Sequence, residues 1–272
     1  MRIANYSAFA KDLREHGLEY ALQHTVALGF DAVEVIRTRR DAIPSLDDVR
    51  AARARFDAYG LPVVCYSAVA DLSTGDPVAV ETLKQHAQRA AILGSPFLHH
   101  TLLPTLTPGA SPPTYDQVLP RVLEAAAQVA EYAAPLGITC LYEPQGLYFN
   151  GIEGLGTFFS NLQTQCPNVG ICADAGNPLF VRADSVALTR HFAPHVRHVH
   201  VKNYSFSTVE PTANERYLLA SGTWLRNAPL SSGAVDMTAF LAALPQYSGA
   251  ISLEINGTDE ELAAAIAFLR DL

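Results

Sequence analysis

The chain has 272 residues, 49% hydrophobic and 17% charged, which suits one large domain with a substantial core. A formal net charge of -8 argues against affinity drawn mainly from a phosphate backbone, so no nucleic-acid partner is expected. No apolar run approaches the roughly 20 residues of a bilayer span, and the start MRIANYSAFAKD lacks a secretory stretch; neither a membrane nor export is expected, and the cytoplasm is the default.

Short apolar runs alternate with longer segments at helical spacing. RIANY is followed by a helical segment through YALQHTVALG, then come DAVEVIR, a helix over LDDVRAARARFDAYG, and LPVVCYSAV. VAVETLKQHAQRAAILG leads to SPFLHH, and YDQVLPRVLEAAAQVAEYAAPLG to ITCLYEP. Gly29, Gly60, Gly94 and Gly137 are placed to end helices. The rhythm continues through NVGICADAG, ADSVALTRHF, VRHVHVKNY, VDMTAFLAALPQ, GAISLEING and TDEELAAAIAFLRDL. Eight strands rich in Val, Ile and Leu, each followed by a helix, predict a parallel sheet closed as a (β/α)8 barrel, a single domain over residues 1–272. Cys65, Cys140, Cys166 and Cys172 form no close pair and read as buried free thiols.

Chemistry in such a barrel belongs at the C-terminal ends of the strands. There the fifth strand carries Glu143, the sixth Asp174, the seventh His200 and the eighth Glu254. Three oxygen donors and one imidazole suit one divalent ion, with Mn2+ favoured and Mg2+, Co2+ or Zn2+ as alternatives. In HVRHVHVKN, strand alternation puts His198, His200 and Lys202 on one face and Val199 and Val201 on the other. His198 lies deeper and reads as a core histidine or a partner behind a ligand as readily as a ligand itself. Lys202 would balance the carboxylates and steady a developing oxyanion. Asn177 either contacts a substrate hydroxyl or shapes the turn before Pro178, and Tyr66 is a ring wall, a hydroxyl donor or packing. His99 and His100 point to opposite faces; the reading adopted is that His100 is nearer the mouth. Glu34 is an inward carboxylate or an ion-pair partner under the loops.

Residues 203–235 form a long connection after the seventh strand and hold the only tryptophan, Trp224. They read as a lid over a sugar-sized ligand or as an ordered segment packed on the barrel or another subunit. Arg216 and Arg226 are candidate anion contacts within it. A glycine-rich phosphate cradle and a GxSxG elbow are both missing from the sequence.

The segments ALGFDAVEV, LYEP, ADAGNP, VRHVHVKN and SSGAVDMTAFLAALPQYSGAISLEI resemble, in order and spacing, the sugar phosphate isomerase and epimerase barrels related to xylose isomerase and endonuclease IV. The likeness spans residues 3–270. It implies a xylose isomerase-like TIM barrel and, by analogy with tagatose epimerase and hydroxypyruvate isomerase, one metal held by Glu143, Asp174, His200 and Glu254. It also implies that the two glutamates transfer protons in isomerisation or epimerisation of a small sugar or hydroxy-keto compound. Inosose and dehydroshikimate dehydratases share the branch, so dehydration is the alternative. Two departures stand out: Asn177 replaces a histidine common beside the aspartate, and SSG replaces the usual GEG before Val235 and Asp236. Endonuclease IV differs in its three-zinc cluster, for which only one ligand set is evident here.

Overall fold

The computed structural model describes residues 1–105, 112–210, 216–219 and 221–272; the side chain of Arg216 also lies outside the described part. Eight parallel strands close on themselves. They are β1 (Arg2–Asn5), β2 (Ala32–Arg37), β3 (Val63–Ala68), β4 (Phe97–His100), β5 (Thr139–Tyr142), β6 (Val169–Asp174), β7 (Val196–Val201) and, after a three-strand excursion, β11 (Ala250–Leu253). β1 pairs with both β2 and β11, so the barrel has no open edge.

The strands are buried on both faces, and the outer face and the lower part of the inner face are apolar. Val199 and Val201 pack outward under the helices, while Cys65, Leu141 and Cys172 fill the inside of the barrel below the mouth. All four cysteines are buried and free.

The covering helices begin and end where local chemistry dictates. α4 (Pro77–Leu93) starts on Asp76, whose side chain accepts from the Val78 amide at 2.9 Å, and stops at Gly94 with φ of 74°. A residue with a Cβ at Gly94 would be strained in backbone and would also strike the Arg53 guanidinium. α9 (Asp259–Asp271) opens with a capping box between Thr258 and Glu261. α3 (Leu46–Ala58), α5 (Tyr115–Ala133), α6 (Ile152–Gln163), α7 (Ser185–Phe192) and α8 (Met237–Ala242) complete the ring of single covering helices. No helix among the described residues is long and apolar enough to cross a membrane.

Two segments differ from the sequence reading. The first crossover is two helices, α1 (Ser7–His16) and α2 (Leu18–Ala27), because Gly17 adopts φ of 85° between them and interrupts the helical ladder. The connection at 203–235 has secondary structure of its own: β8 (Asn203–Ser207), β9 (Arg216–Leu218) and β10 (Trp224–Ala228) form an antiparallel sheet in the order β8-β10-β9. Residues 211–215 and 220 of that connection lie outside the described part. Its base is clamped by buried Asn203, whose amide donates to Leu230 O at 3.1 Å and Val235 O at 2.9 Å, while its carbonyl oxygen accepts from the Val235 amide at 3.0 Å.

Candidate metal centre

Strand register decides which side chains meet. Asp174 on β6 is level with His200 on β7, and His200 with Ser252 on β11. Glu254 lies two positions beyond Ser252 and so returns to the inner face; Glu143 does the same relative to Leu141. Glu143, Asp174, His200 and Glu254 thereby offer ligand atoms within 4.8 Å of one another. His200 Nδ1 is 3.3 Å from Glu143 Oε2, 3.5 Å from Glu254 Oε2 and 3.8 Å from Asp174 Oδ2. Asp174 and His200 are fully buried, whereas the Glu254 side chain is 23% exposed and forms the rim.

The loop after β6 is built on Asp174. Its Oδ1 accepts from the amides of Gly176 at 2.8 Å and Asn177 at 2.6 Å, leaving Oδ2 to face the cluster. A Cβ at Gly176 would lie 2.6 Å from Lys202 Cγ, so this glycine makes room for the lysine stem. Lys202 Nζ reaches Glu254 Oε2 at 2.7 Å and Asp174 Oδ2 at 3.0 Å. Burial opposes its charge, but Asp174 and Glu254 outweigh burial and hold the ammonium well above its ordinary range.

Burial pushes the Asp174 carboxyl up, against the pull of Lys202. Burial likewise opposes charge on His200, while its contacts with the Cys172 sulfur, Glu34 and Glu143 act the other way, and the imidazole sits well above its usual value. Burial drives the Cys172 thiol itself up to about 12, so at neutral pH that sulfur is uncharged and the carboxylates carry the effect.

The donor set fits a divalent cation. Glu143, Asp174 and Glu254 gather at the mouth with the Lys202 ammonium and Glu34 lies beneath them against His200, so four carboxylates face one ammonium and one imidazole, a surplus of negative charge that a doubly charged ion would offset. Asp174 Oδ2 is buried with no well-aligned hydrogen bond despite the nearby Lys202, as a coordinating oxygen would be. Three carboxylates and an imidazole are the donors expected for manganese, magnesium or cobalt and are compatible with zinc.

Several residues lie elsewhere than the sequence reading put them. His99, not His100, faces inward: its Nε2 is 3.6 Å from Glu143 Oε1 and its ring meets that of His200 edge-on at 5.1 Å. His100 points out of the barrel and packs edge-on against Tyr142 at 5.0 Å. Tyr66 also points outward, with its hydroxyl 2.9 Å from His86 Nδ1 on α4. Both corrections have one cause, since β3 and β4 are buried on both faces and hydrophobic alternation does not mark the inner one. Asn177 is buried beside the loop, its backbone oxygen accepting from Asn150 and its side-chain Nδ2 without a partner. Trp224 stands in β10 opposite Leu218 and Ser207. The excursion instead sends Tyr204, Tyr217 and Asn227 to a cavity of about 90 Å³ that Lys202, Glu254, Ser7 and Asn256 also line. Arg226 donates to Ser205 Oγ at 2.9 Å on the exposed sheet.

The sequence reading passed over Tyr6, whose ring stacks on His200 at 5.0 Å and 27°. Burial, with help from Glu254 and Glu34, keeps its phenol protonated far above the ordinary range. The clue was available: Tyr6 directly follows a strand end, where side chains belong to the mouth.

The outward histidines have a measurable consequence. Burial pushes His86 down to about 4 and His100 down to about 3. Both rings stay neutral in the fold, while the unfolded chain takes up protons below about 6.5. Folding stability therefore falls as pH drops from about 6.5 toward those lower values, by about 2–3 kcal/mol per ring at about pH 4.5. Denaturant midpoints measured from pH 7 to 4.5 should show this decline, and His100→Phe should flatten it by one ring's share. An unchanged slope in His100→Phe would remove His100 from the account.

Comparison with known proteins bears on this geometry. A family model described as xylose isomerase-like TIM barrel matches residues 22–272. The structure is similar to a xylose isomerase domain protein from Planctomyces limnophilus, with 21% identity over 99% of this chain and 96% of that one and a TM-score of 0.75. It is similar to the probable 3-DHS dehydratase AsbF from Bacillus anthracis, with 16% identity over 99% of both chains and a TM-score of 0.75. It also resembles D-allulose 3-epimerase from Methylomonas sp., with 18% identity over 100% and 97% of the two chains and a TM-score of 0.75. No curated protein matches the sequence. At these identities the structural likenesses speak to the fold.

Proposed function

The chain belongs to the xylose isomerase-like TIM barrel family, and from that premise we propose that it is a divalent-metal-dependent isomerase or epimerase of a small sugar or hydroxy-keto compound. The observation that carries this reading is the pair Glu143 and Glu254, which come from strands three places apart in the barrel, after β5 and after β11, and both reach within 3.5 Å of His200 Nδ1. An ion held by Glu143, Asp174, His200 and Glu254 would polarise a substrate carbonyl and ease formation of an enediolate. One glutamate removes the proton beside the carbonyl. The other returns a proton to the opposite face, which gives the epimer, or to the neighbouring carbon, which gives the isomer. The Lys202 ammonium steadies the oxyanion, and Tyr204, Tyr217, Asn227 and Asn256 supply hydroxyl and amide groups suited to a polyol.

Dehydration is the second reading, favoured by the likeness to the probable 3-DHS dehydratase over 99% of both chains. The same deprotonation would then expel a neighbouring hydroxyl. The two are separated by incubating a panel of ketoses, hydroxy-keto acids and cyclic keto-polyols in D2O with manganese-loaded protein and following them by NMR. Deuterium beside the carbonyl without loss of water is the expected result. Loss of water establishes the dehydratase, and no turnover of any panel member sinks both readings.

A further inference from the structure

The buried polar groups beneath the four ligand-type residues lead to a single carboxylate. Glu34, fully buried on β2, has Oε2 2.8 Å from His198 Nε2 and both oxygens 3.1 Å from His200 Nε2. Its Oε1 also accepts the hydroxyl hydrogen of Ser67, and Ser67 Oγ lies 2.9 Å from His99 Nδ1. A hydroxyl carries one hydrogen. Given to Glu34, it leaves the Ser67 oxygen only lone pairs, so the nitrogen facing it, His99 Nδ1, is the protonated one. His99 then turns a bare Nε2 toward the mouth, and that atom is buried with no hydrogen-bond partner. At His200 the nitrogen between the two Glu34 oxygens can only donate. The opposite edge, bearing Nδ1, is thereby fixed toward Glu143, Asp174 and Glu254.

We propose that Glu34 is a positioning residue that sets both rings. Directly, it makes Nδ1 the ligating atom of His200; through Ser67, it presents His99 Nε2 as an acceptor for a substrate hydroxyl. The inference rests on the metal-site reading above and adds to it the reason why one imidazole edge, and not the other, meets the ion. Hydrogen bonds of this kind behind a ligand commonly govern affinity by about 10–100-fold.

The test uses cobalt(II) alone, titrated into the intact protein and followed by its visible absorption. Glu34→Gln should bind cobalt about 10–100-fold more weakly than wild type. Ser67→Ala, which touches Glu34 but not His200, should bind it like wild type. In 15N-histidine NMR, wild-type protein should show His200 protonated at Nε2 and His99 protonated at Nδ1. Loading with cadmium should couple the metal to His200 Nδ1, and Ser67→Ala should change the His99 signal and spare that of His200. Equal cobalt affinity in wild type and folded Glu34→Gln, or cadmium on His200 Nε2, overturns the assignment. Should Glu34→Gln fail to fold, the wild-type spectra decide. Absence of cobalt uptake by wild type would defeat the metal-site reading itself, while the tautomer of His99 in the metal-free protein would still decide whether Glu34 acts through Ser67.

Discussion

In Glu143→Gln and in Glu254→Gln, at saturating manganese, interconversion of the two epimers should fall by about 10²–10⁴-fold, the usual contribution of a positioned acid or base. Glutamine keeps an oxygen that can ligate but cannot take a proton, so the loss should lie in turnover far more than in metal content. The two variants should also differ from each other. If the glutamates approach opposite faces of one carbon, each variant loses wash-out of deuterium from one epimer and retains it from the other. Starting the reaction from each epimer, with deuterium already at the reacting carbon, reads this directly. Equal loss from both epimers in one variant and none in the other would mean a single base serves both faces.

The second large effect concerns metal retention. Asp174 is fully buried, supports two loop amides through Oδ1 and turns Oδ2 to the cluster. Asp174→Ala should cost more metal affinity than the about 10–100-fold typical of an outer partner, and it should also lower thermal stability by releasing the amides of Gly176 and Asn177. Asp174→Asn keeps an oxygen for those amides and removes the charge, including that paired with Lys202, so it should lose metal with a smaller fall in melting temperature than Asp174→Ala. Elemental analysis and melting curves on the two variants separate ligation from loop support. Full metal content in both would place the ion elsewhere.

How far the sequence carried these assignments depended on where each residue sits. The barrel was legible because apolar strands and helices alternate eight times with glycine at helix ends. The convergence of Glu143, Asp174, His200 and Glu254 followed because each stands at a strand end, where closure of the barrel brings unlike strands together. Glu34 was open to two readings, since its partners His198 and His200 lie more than 160 residues away and only the closed sheet joins them. His99 and Tyr66 were harder, because a strand buried on both faces has no polar side to mark its orientation. Phe97 gives the parity of β4 after the fact: it packs inside with Cys65, Leu141 and Cys172, and His99 shares its face. The sheet of β8, β9 and β10 was hidden for another reason. Its short polar strands, such as NYSFS and RYL, lack the apolar content that marks barrel strands, and antiparallel pairing across a long excursion leaves no local pattern.

The metal itself gives the most direct test. Crystals of manganese-loaded protein, with data collected at the manganese absorption edge, should show one anomalous peak at the barrel mouth, in coordination range of Glu143, Asp174, Glu254 and His200 Nδ1. A peak deeper in the barrel between Glu34 and His99, several peaks, or no peak in protein that turns over substrate would contradict a single ion held by these four residues.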